Sequence, residues 1–144
     1  MNLLKTEAEK FGLNLSERQL EQFEIYKDYL LEYNSHTNLT SIKEPDDIAI
    51  KHFLDSIIIC KFIKINENAK VIDVGTGAGF PGVPLKILNP GVNLTLVDSL
   101  NKRVTFLKNL ASKIEISADI IHARAEELAH NENYREKYDF AVSR

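Results

Sequence analysis

The run Val71-Ile72-Asp73-Val74-Gly75-Thr76-Gly77-Ala78-Gly79-Phe80-Pro81-Gly82 sets glycines at alternate positions between a β-branched apolar stretch and a proline-led segment. This is the pattern of a strand that turns into a helix through a loop able to hold a ligand. Glycine at positions 75 and 77 permits a tight turn and lets a ligand approach the backbone with no Cβ in the way. A proline near the helix start costs nothing, because the first helical N–H has no intrahelical partner. A dinucleotide loop of the form G-x-G-x-x-G needs glycine at position 80, where this chain has Phe80, so an NAD enzyme does not fit. No Lys-Ser or Lys-Thr follows the glycines, which excludes a nucleoside-triphosphate P-loop. A ligand without a pyrophosphate tolerates bulk at the helix start, and S-adenosylmethionine is an adenosine ligand of that kind; the Phe80-Pro81 pair fits it. A carboxylate follows at Asp98, 19 residues after Gly79 and at the end of Leu96-Val97-Asp98, where an acid can accept hydrogen bonds from both ribose hydroxyls. Each piece alone has a structural explanation, the glycines as a turn and Asp98 as a helix cap. Their order on one strand–loop–helix–strand unit favours an adenosine-cofactor site.

Other reactive side chains offer less. His52, Asp55 and Ser56 stand at helical spacing and could share one face, with a packed, hydrogen-bonded histidine as the competing interpretation. The four histidines show no i, i+4 pair, and Cys60 is the single cysteine. A structural zinc, which wants four Cys or His ligands, and a disulfide are therefore not expected, and neither is any other metal site. Cys60, within Ile57-Ile58-Ile59-Cys60, reads as a small buried hydrophobe. The net charge is −3, with 8 basic and 11 acidic residues over 1–66 and 10 of each over 67–144; no half is basic, so charge balance alone gives no footprint of a nucleic acid.

The elements that must position these groups are legible from periodicity. A length of 144 residues with 44% hydrophobic and 27% charged residues predicts one ordinary globular domain. No apolar run approaches the roughly 20 residues of a membrane span, and the first ten residues lack the apolar core of a secretion signal, so a cytoplasmic protein is expected. Leu3, Leu4, Ala8 and Phe11 form an apolar stripe ended by Gly12; Ser16 and Gln19 read as a capping box opening a helix over about 17–34. On that helix Leu20, Phe23, Tyr26, Leu30 and Tyr33 share a face, expected to be core rather than a base-stacking platform. Asn34 to Glu44 reads as a loop, and Pro45 with Asp46 and Asp47 opens a third helix reaching about Phe62. Strands are expected at Val71–Val74, Leu94–Val97, Ile120–His122 and Phe140–Val142, with helices at about 82–89, 101–113 and 125–130 between them. This alternation predicts parallel strands with helical crossovers, a doubly wound α/β sheet, on which the helical first third packs.

Several runs together resemble one known family: Tyr33-Asn34, Asn38-Leu39-Thr40-Ser41, His52-Phe53-Leu54-Asp55-Ser56, the Asp73-to-Gly82 loop, Asp98-Ser99 with Lys102-Arg103, and Arg124-Ala125-Glu126. They are similar to the glucose-inhibited division protein B family of bacterial 16S ribosomal RNA guanine-N7 methyltransferases. The resemblance implies a Rossmann-like, S-adenosylmethionine-dependent α/β domain with an N-terminal helical cap over 1–66 and the cofactor-binding half over 67–144. It further implies that Gly75, Gly77 and Phe80 line the cofactor, Asp98 takes the ribose, Ala125 and Glu126 lie beside the adenine, and Arg144 closes the strand-four end of the pocket. The implied partner is small-subunit ribosomal RNA or its particle, and the implied chemistry uses no acid/base residue, because the N7 lone pair of guanine is already free. Family members continue past the position of Arg144, so the chain reads as an amino-terminal portion that stops after its fourth strand. Taken alone, that portion is expected to aggregate or to pair through the open strand, and to transfer no methyl group. A small-molecule methyltransferase on the same fold and a non-catalytic cofactor-binding fragment are the alternatives.

Overall fold

The computed structural model describes residues 1–37, 39–42 and 44–144; Asn38, part of one family-like run, and Lys43, within the expected loop, lie outside the described residues. Two helices lead, α1 (Asn2–Lys10) and α2 (Glu17–Thr37). Gly12, at φ +78°, turns the chain out of α1. The capping box forms as expected: the Gln19 N–H donates to Ser16 Oγ at 3.2 Å and the Ser16 N–H to Gln19 Oε1 at 2.8 Å. α2 runs to Thr37, three residues beyond the sequence expectation, so Asn34 to Thr37 are helix and not loop. The last turn gains the Thr37 hydroxyl, which donates to Tyr33 O at 2.7 Å, a local bond that offsets the weak propensity of this polar stretch.

The expected third helix is continuous only in outline. Pro45–Asp47 (α3) passes into a π-helical Ile48–Leu54, then Asp55–Ile57 (α4), and tightens to a 3-10 turn at Ile58–Lys61. The Asp55 N–H reaches Ile50 O, five residues back, which is the wider hydrogen-bond step of a π-helix. Side chains are thereby rotated away from α-helical register. His52 and Asp55 do share a face, both meeting the Arg144 guanidinium, whereas Ser56 turns inward, 2% exposed, with its hydroxyl on His52 O at 2.5 Å.

The four strands are β1 (Lys70–Val74), β2 (Asn93–Asp98), β3 (Asp119–His122) and β4 (Phe140–Val142), in the order β3-β2-β1-β4 and all parallel. Helices α5 (Gly82–Leu88) and α6 (Asn101–Lys113) make the crossovers from β1 to β2 and from β2 to β3, and α7 (Ala125–Ala129) precedes β4. The chain therefore steps outward from β1 to β3, then returns to β1's other side. β4 is an edge strand, as expected. That reversal makes the β1/β4 boundary a topological switch point, outside whose carboxyl ends α/β sheets hold their ligands.

One core joins the helical segment to the sheet. Phe23, Tyr26 and Leu30 of α2, Phe53 and Ile57, and Val71, Leu94, Leu96, Phe106 and Leu107 are all buried and belong to the same apolar cluster. The α2 stripe is thus core, stacked at 5.0 Å between Tyr29 and Phe106 and at 5.3 Å between Tyr26 and Phe80. Cys60 is only half-buried rather than fully so, with Asn89 Nδ2 at 3.6 Å from its sulfur, because the 3-10 turn carries it toward the surface. No helix among the described residues is long and apolar enough to cross a membrane.

Candidate cofactor site

The loop after β1 is held from both sides. The N–H groups of Gly75 and Thr76 bond to Val97 O at 2.9 and 3.0 Å, which ties the loop to the end of β2. Gly75, Gly77 and Gly79 have φ of +69°, +62° and +101°, the left-handed region that glycine enters without a side-chain penalty. They differ in their surroundings. A Cβ built on Gly75 or Gly77 meets no protein atom within 4 Å, whereas one on Gly79 would lie 2.7 Å from Tyr26 Oη and one on Gly82 would lie 2.7 Å from Asp73 Oδ2. The first two glycines leave open space for a ligand, while the last two let α2 and β1 close on the loop.

Asp98, the last residue of β2, is 3% exposed. Its Oδ2 accepts from the Gly77 N–H at 2.8 Å and lies 3.5 Å from Arg103 Nη1, and its Oδ1 accepts from the Leu100 N–H at 2.9 Å. The carboxylate thus braces the glycine loop and the start of α6 from beneath. A carboxylate offers about four acceptor positions, so it keeps capacity for a further donor. A cleft of about 350 Å³ opens at this point, lined by Gly75, Asp98, Ser99, Arg124, Ala125 and Glu126 among others. That size lies at the lower end of small-molecule sites, which run about 300 to 1,000 Å³. A larger concavity of about 600 Å³, walled by Lys70, Asn93, Asp119 and Tyr134, sits at the amino ends of the strands, away from the glycine loop and from the end where such sheets bind ligands.

Gly75, Asp98, Ala125 and Glu126 are therefore brought together, and Gly77 adjoins them through its bond to Asp98. Phe80 and Arg144 are placed elsewhere. Phe80 is 6% exposed, stacked with His52 at 4.4 Å and with Tyr26, and its ring faces the helical segment rather than the cleft. Arg144 covers the same ring at 5.0 Å and donates to His52 Nδ1 at 2.7 Å, Asp55 Oδ2 at 2.9 Å and Lys51 O at 3.1 Å. The guanidinium clamps the end of β4 to the helical segment. His52 Nε2 lies 2.9 Å from Thr40 Oγ1, and burial, then the nearby Arg144 charge, pushes the His52 pKa down to about 4. At neutral pH His52 is uncharged, its Nδ1 accepting from Arg144 and its Nε2–H donating to Thr40.

Asp73 is the residue that sequence reasoning left out. It is fully buried as the penultimate residue of β1, and its Oδ2 accepts from Thr76 Oγ1 and the Gly82 N–H, both at 2.7 Å, while its Oδ1 has no partner among the described residues. Its position directly before the glycine loop was the available signal. Burial raises its pKa to about 6, against the opposing pull of the two donors. Because the folded-state value lies above the ordinary 3.8, folding takes up a proton between those values, and the stability this group provides at low pH is lost as pH rises through about 6. Asp73→Asn is accordingly expected to gain about 1 to 3 kcal/mol relative to the parent on going from pH 4 to pH 7.5. Urea midpoints measured at both pH values test this, and a pH-independent difference would show that the carboxyl does not titrate in that window. His52 acts with the opposite sign, since its lowered pKa costs stability as pH falls from about 6.5 to about 4.

A family model, GidB, described as rRNA small subunit methyltransferase G, matches residues 19–144. The chain belongs to this family. The methyltransferase G of Alkaliphilus oremlandii (strain OhILAs) is 48% identical over 144 residues, covering 99% of this chain and 60% of the relative. That of Oenococcus oeni (strain ATCC BAA-331 / PSU-1) is 52% identical over 135 residues, covering 92% of this chain and 56% of the relative. The chain thus spans less than two thirds of the length of these methyltransferase G relatives. Among solved structures, TehB from Haemophilus influenzae superposes with a TM-score of 0.53 at 24% identity, over 82% of this chain and 34% of its own. A Plasmodium falciparum protein titled a putative protein-L-isoaspartate O-methyltransferase, solved with S-adenosyl-L-homocysteine, gives 0.53 at 19% identity, over 97% of this chain and 71% of its own. Both likenesses concern the fold, and they agree with the parallel sheet described above.

Proposed function

We propose that this chain forms the cofactor-binding part of a cytoplasmic S-adenosylmethionine-dependent enzyme that methylates N7 of a guanine in small-subunit 16S ribosomal RNA. The observation that carries the proposal is the cleft at the carboxyl ends of β1 to β3, with Gly75 and Gly77 open above it and the Asp98 carboxylate at its floor, in a chain of the methyltransferase G family. S-adenosylmethionine would supply an electrophilic methyl group. Gly75 and Gly77 admit the ligand to the backbone, Asp98 accepts from the ribose hydroxyls with its remaining lone pairs, and Ala125 and Glu126 flank the adenine. Phe80 and Arg144 act one step back, locking residues 1–66, the cap, against the end of β4 and the 67–144 half.

The acceptor chemistry asks little of the protein's acids and bases. Guanine N7 carries a free lone pair in the neutral base, so positioning in line with the leaving sulfur and a favourable field suffice. His52 is uncharged and engaged by Thr40 and Arg144, which fits a cap-positioning role and no proton transfer. A small-molecule acceptor would need the same cofactor groups, but nothing in the cleft favours it. The test is to map N7-methylguanine in small-subunit ribosomal RNA from cells with and without the gene. Loss of one modified guanine on deletion is expected, and an unchanged pattern would overturn the proposal.

A further inference from the structure

The net charge of −3 conceals a sharp local segregation. α6 (Asn101–Lys113) carries Lys102, Arg103, Lys108 and Lys113 and none of the chain's 21 acidic residues. Its buried side is Val104, Phe106, Leu107 and Leu110. Lys102, Thr105, Lys108, Asn109, Ser112 and Lys113 are all exposed, so the solvent face consists of ammonium groups interspersed with neutral hydrogen-bonding side chains. Among the described residues Lys102, Lys108 and Lys113 join no ion pair with a protein carboxylate. Lys113 instead rests over the Tyr29 ring at 5.0 Å. The acids at the two ends of the helix are already engaged, Asp98 by two backbone amides and Arg103, and Glu115 by Arg18 at 3.2 Å.

This face has a definite place relative to the cleft. α6 begins two residues after Ser99, which lines the cleft, and extends away from it along the protein surface; a 13-residue helix is about 20 Å long. A solvated helix usually alternates charge signs to gain i, i+4 pairs, and this one forgoes every such pair; Arg103 turns to Asp98, which leaves Lys102, Lys108 and Lys113 available to an outside polyanion. Ammonium groups mixed with Asn, Ser and Thr side chains are the donors that hold nucleic-acid phosphates without reading sequence.

We infer that the exposed face of α6 is a docking track for the phosphodiester backbone of the RNA substrate, running outward from the cofactor cleft. This inference rests on the proposed function. Lys102, Lys108 and Lys113 neutralise phosphates flanking the target base, while the cleft end of the helix sets how far from that base the backbone is gripped.

The test compares two triple variants of the full-length protein with equal change in charge. One is Lys102→Gln, Lys108→Gln, Lys113→Gln, and the control is Lys5→Gln, Lys64→Gln, Lys137→Gln at exposed positions elsewhere. Binding of transcribed small-subunit ribosomal RNA is measured across a salt series, and S-adenosylhomocysteine binding is measured by calorimetry. The α6 variant is expected to bind RNA at least tenfold more weakly than the control at 0.15 M salt, with its log affinity against log salt slope smaller by about 2 to 3 and its S-adenosylhomocysteine affinity unchanged. Equal RNA affinity and slope in the two variants overturns the track. Failure of the parent protein to bind S-adenosylhomocysteine would instead overturn the proposed function, whatever the lysines do.

Discussion

Gly79→Ala is expected to destabilise the protein by about 2 to 4 kcal/mol, well beyond the usual cost of a surface substitution. Two causes add. At φ +101° an L side chain is strained by about 1 to 3 kcal/mol. The new Cβ would also lie 2.7 Å from Tyr26 Oη, 2.8 Å from Val83 Cγ2 and 3.1 Å from Leu107 Cδ2, in a core that cannot give without shifting α2. The Tyr26 hydroxyl, fully buried and donating to Ala78 O at 2.5 Å, would be pushed off that acceptor, which alone costs about 1 to 3 kcal/mol. Urea unfolding followed by circular dichroism measures the loss. Gly77→Ala supplies the contrast: its Cβ meets open space, so stability should fall by only about 1 kcal/mol while cofactor affinity falls much further. Equal stability losses at the two glycines would refute the division between a packing glycine and a ligand-facing one.

Removing the Asp98 carboxylate should strike both binding and structure. Asp98→Ala is expected to weaken S-adenosylhomocysteine binding by about 1.5 to 3 kcal/mol, through loss of the proposed ribose acceptor. It should also lower stability by about 1 to 3 kcal/mol, because the Gly77 and Leu100 N–H groups lose their acceptor and the Arg103 charge loses its neighbour. Asp98→Asn separates the effects. Its single carbonyl oxygen can keep one of the two amide bonds, so more of the stability than of the affinity should survive. Calorimetry and urea midpoints on the two variants decide, and unchanged affinity in Asp98→Ala would remove Asp98 from the cofactor site.

The parallel α/β unit was legible in the sequence because it is written in local terms. β-branched runs at 71–74, 94–97 and 120–122, each followed by helical periodicity, leave few topologies once crossovers must be right-handed. The glycine spacing of Gly75 and Gly77 was equally plain, since positive φ is a requirement of single residues. The extent of the helical segment over residues 45–61 was legible too, but its π-helical middle was not, because that is a response to packing. Phe53 must reach Phe23 and Tyr26, at 4.9 and 5.1 Å, and spacing along the chain does not encode that demand.

Proximity across layers was decided by tertiary structure alone. Phe80 and Arg144 stand 64 positions apart, and only the pairing of β4 with β1 brings the guanidinium over the ring and onto His52. For the same reason Asp98, which the sequence presents as a ribose acceptor or a helix cap, is enclosed beneath Gly77 and Arg103, and Asp73, which it presents as one more strand residue, is a buried carboxyl with one oxygen unpartnered among the described residues. Composition gave a near-neutral chain in both halves, yet folding set Lys102, Lys108 and Lys113 of α6 and their neutral neighbours on one exposed polar face leading away from the cleft, while Arg103 turned to Asp98. The sequence by itself determined which residues could turn, stack or carry charge, because those are properties of single side chains and short spacings. Which of them meet, and which are shielded from water, followed from the order in which the strands pair and the helices cover them.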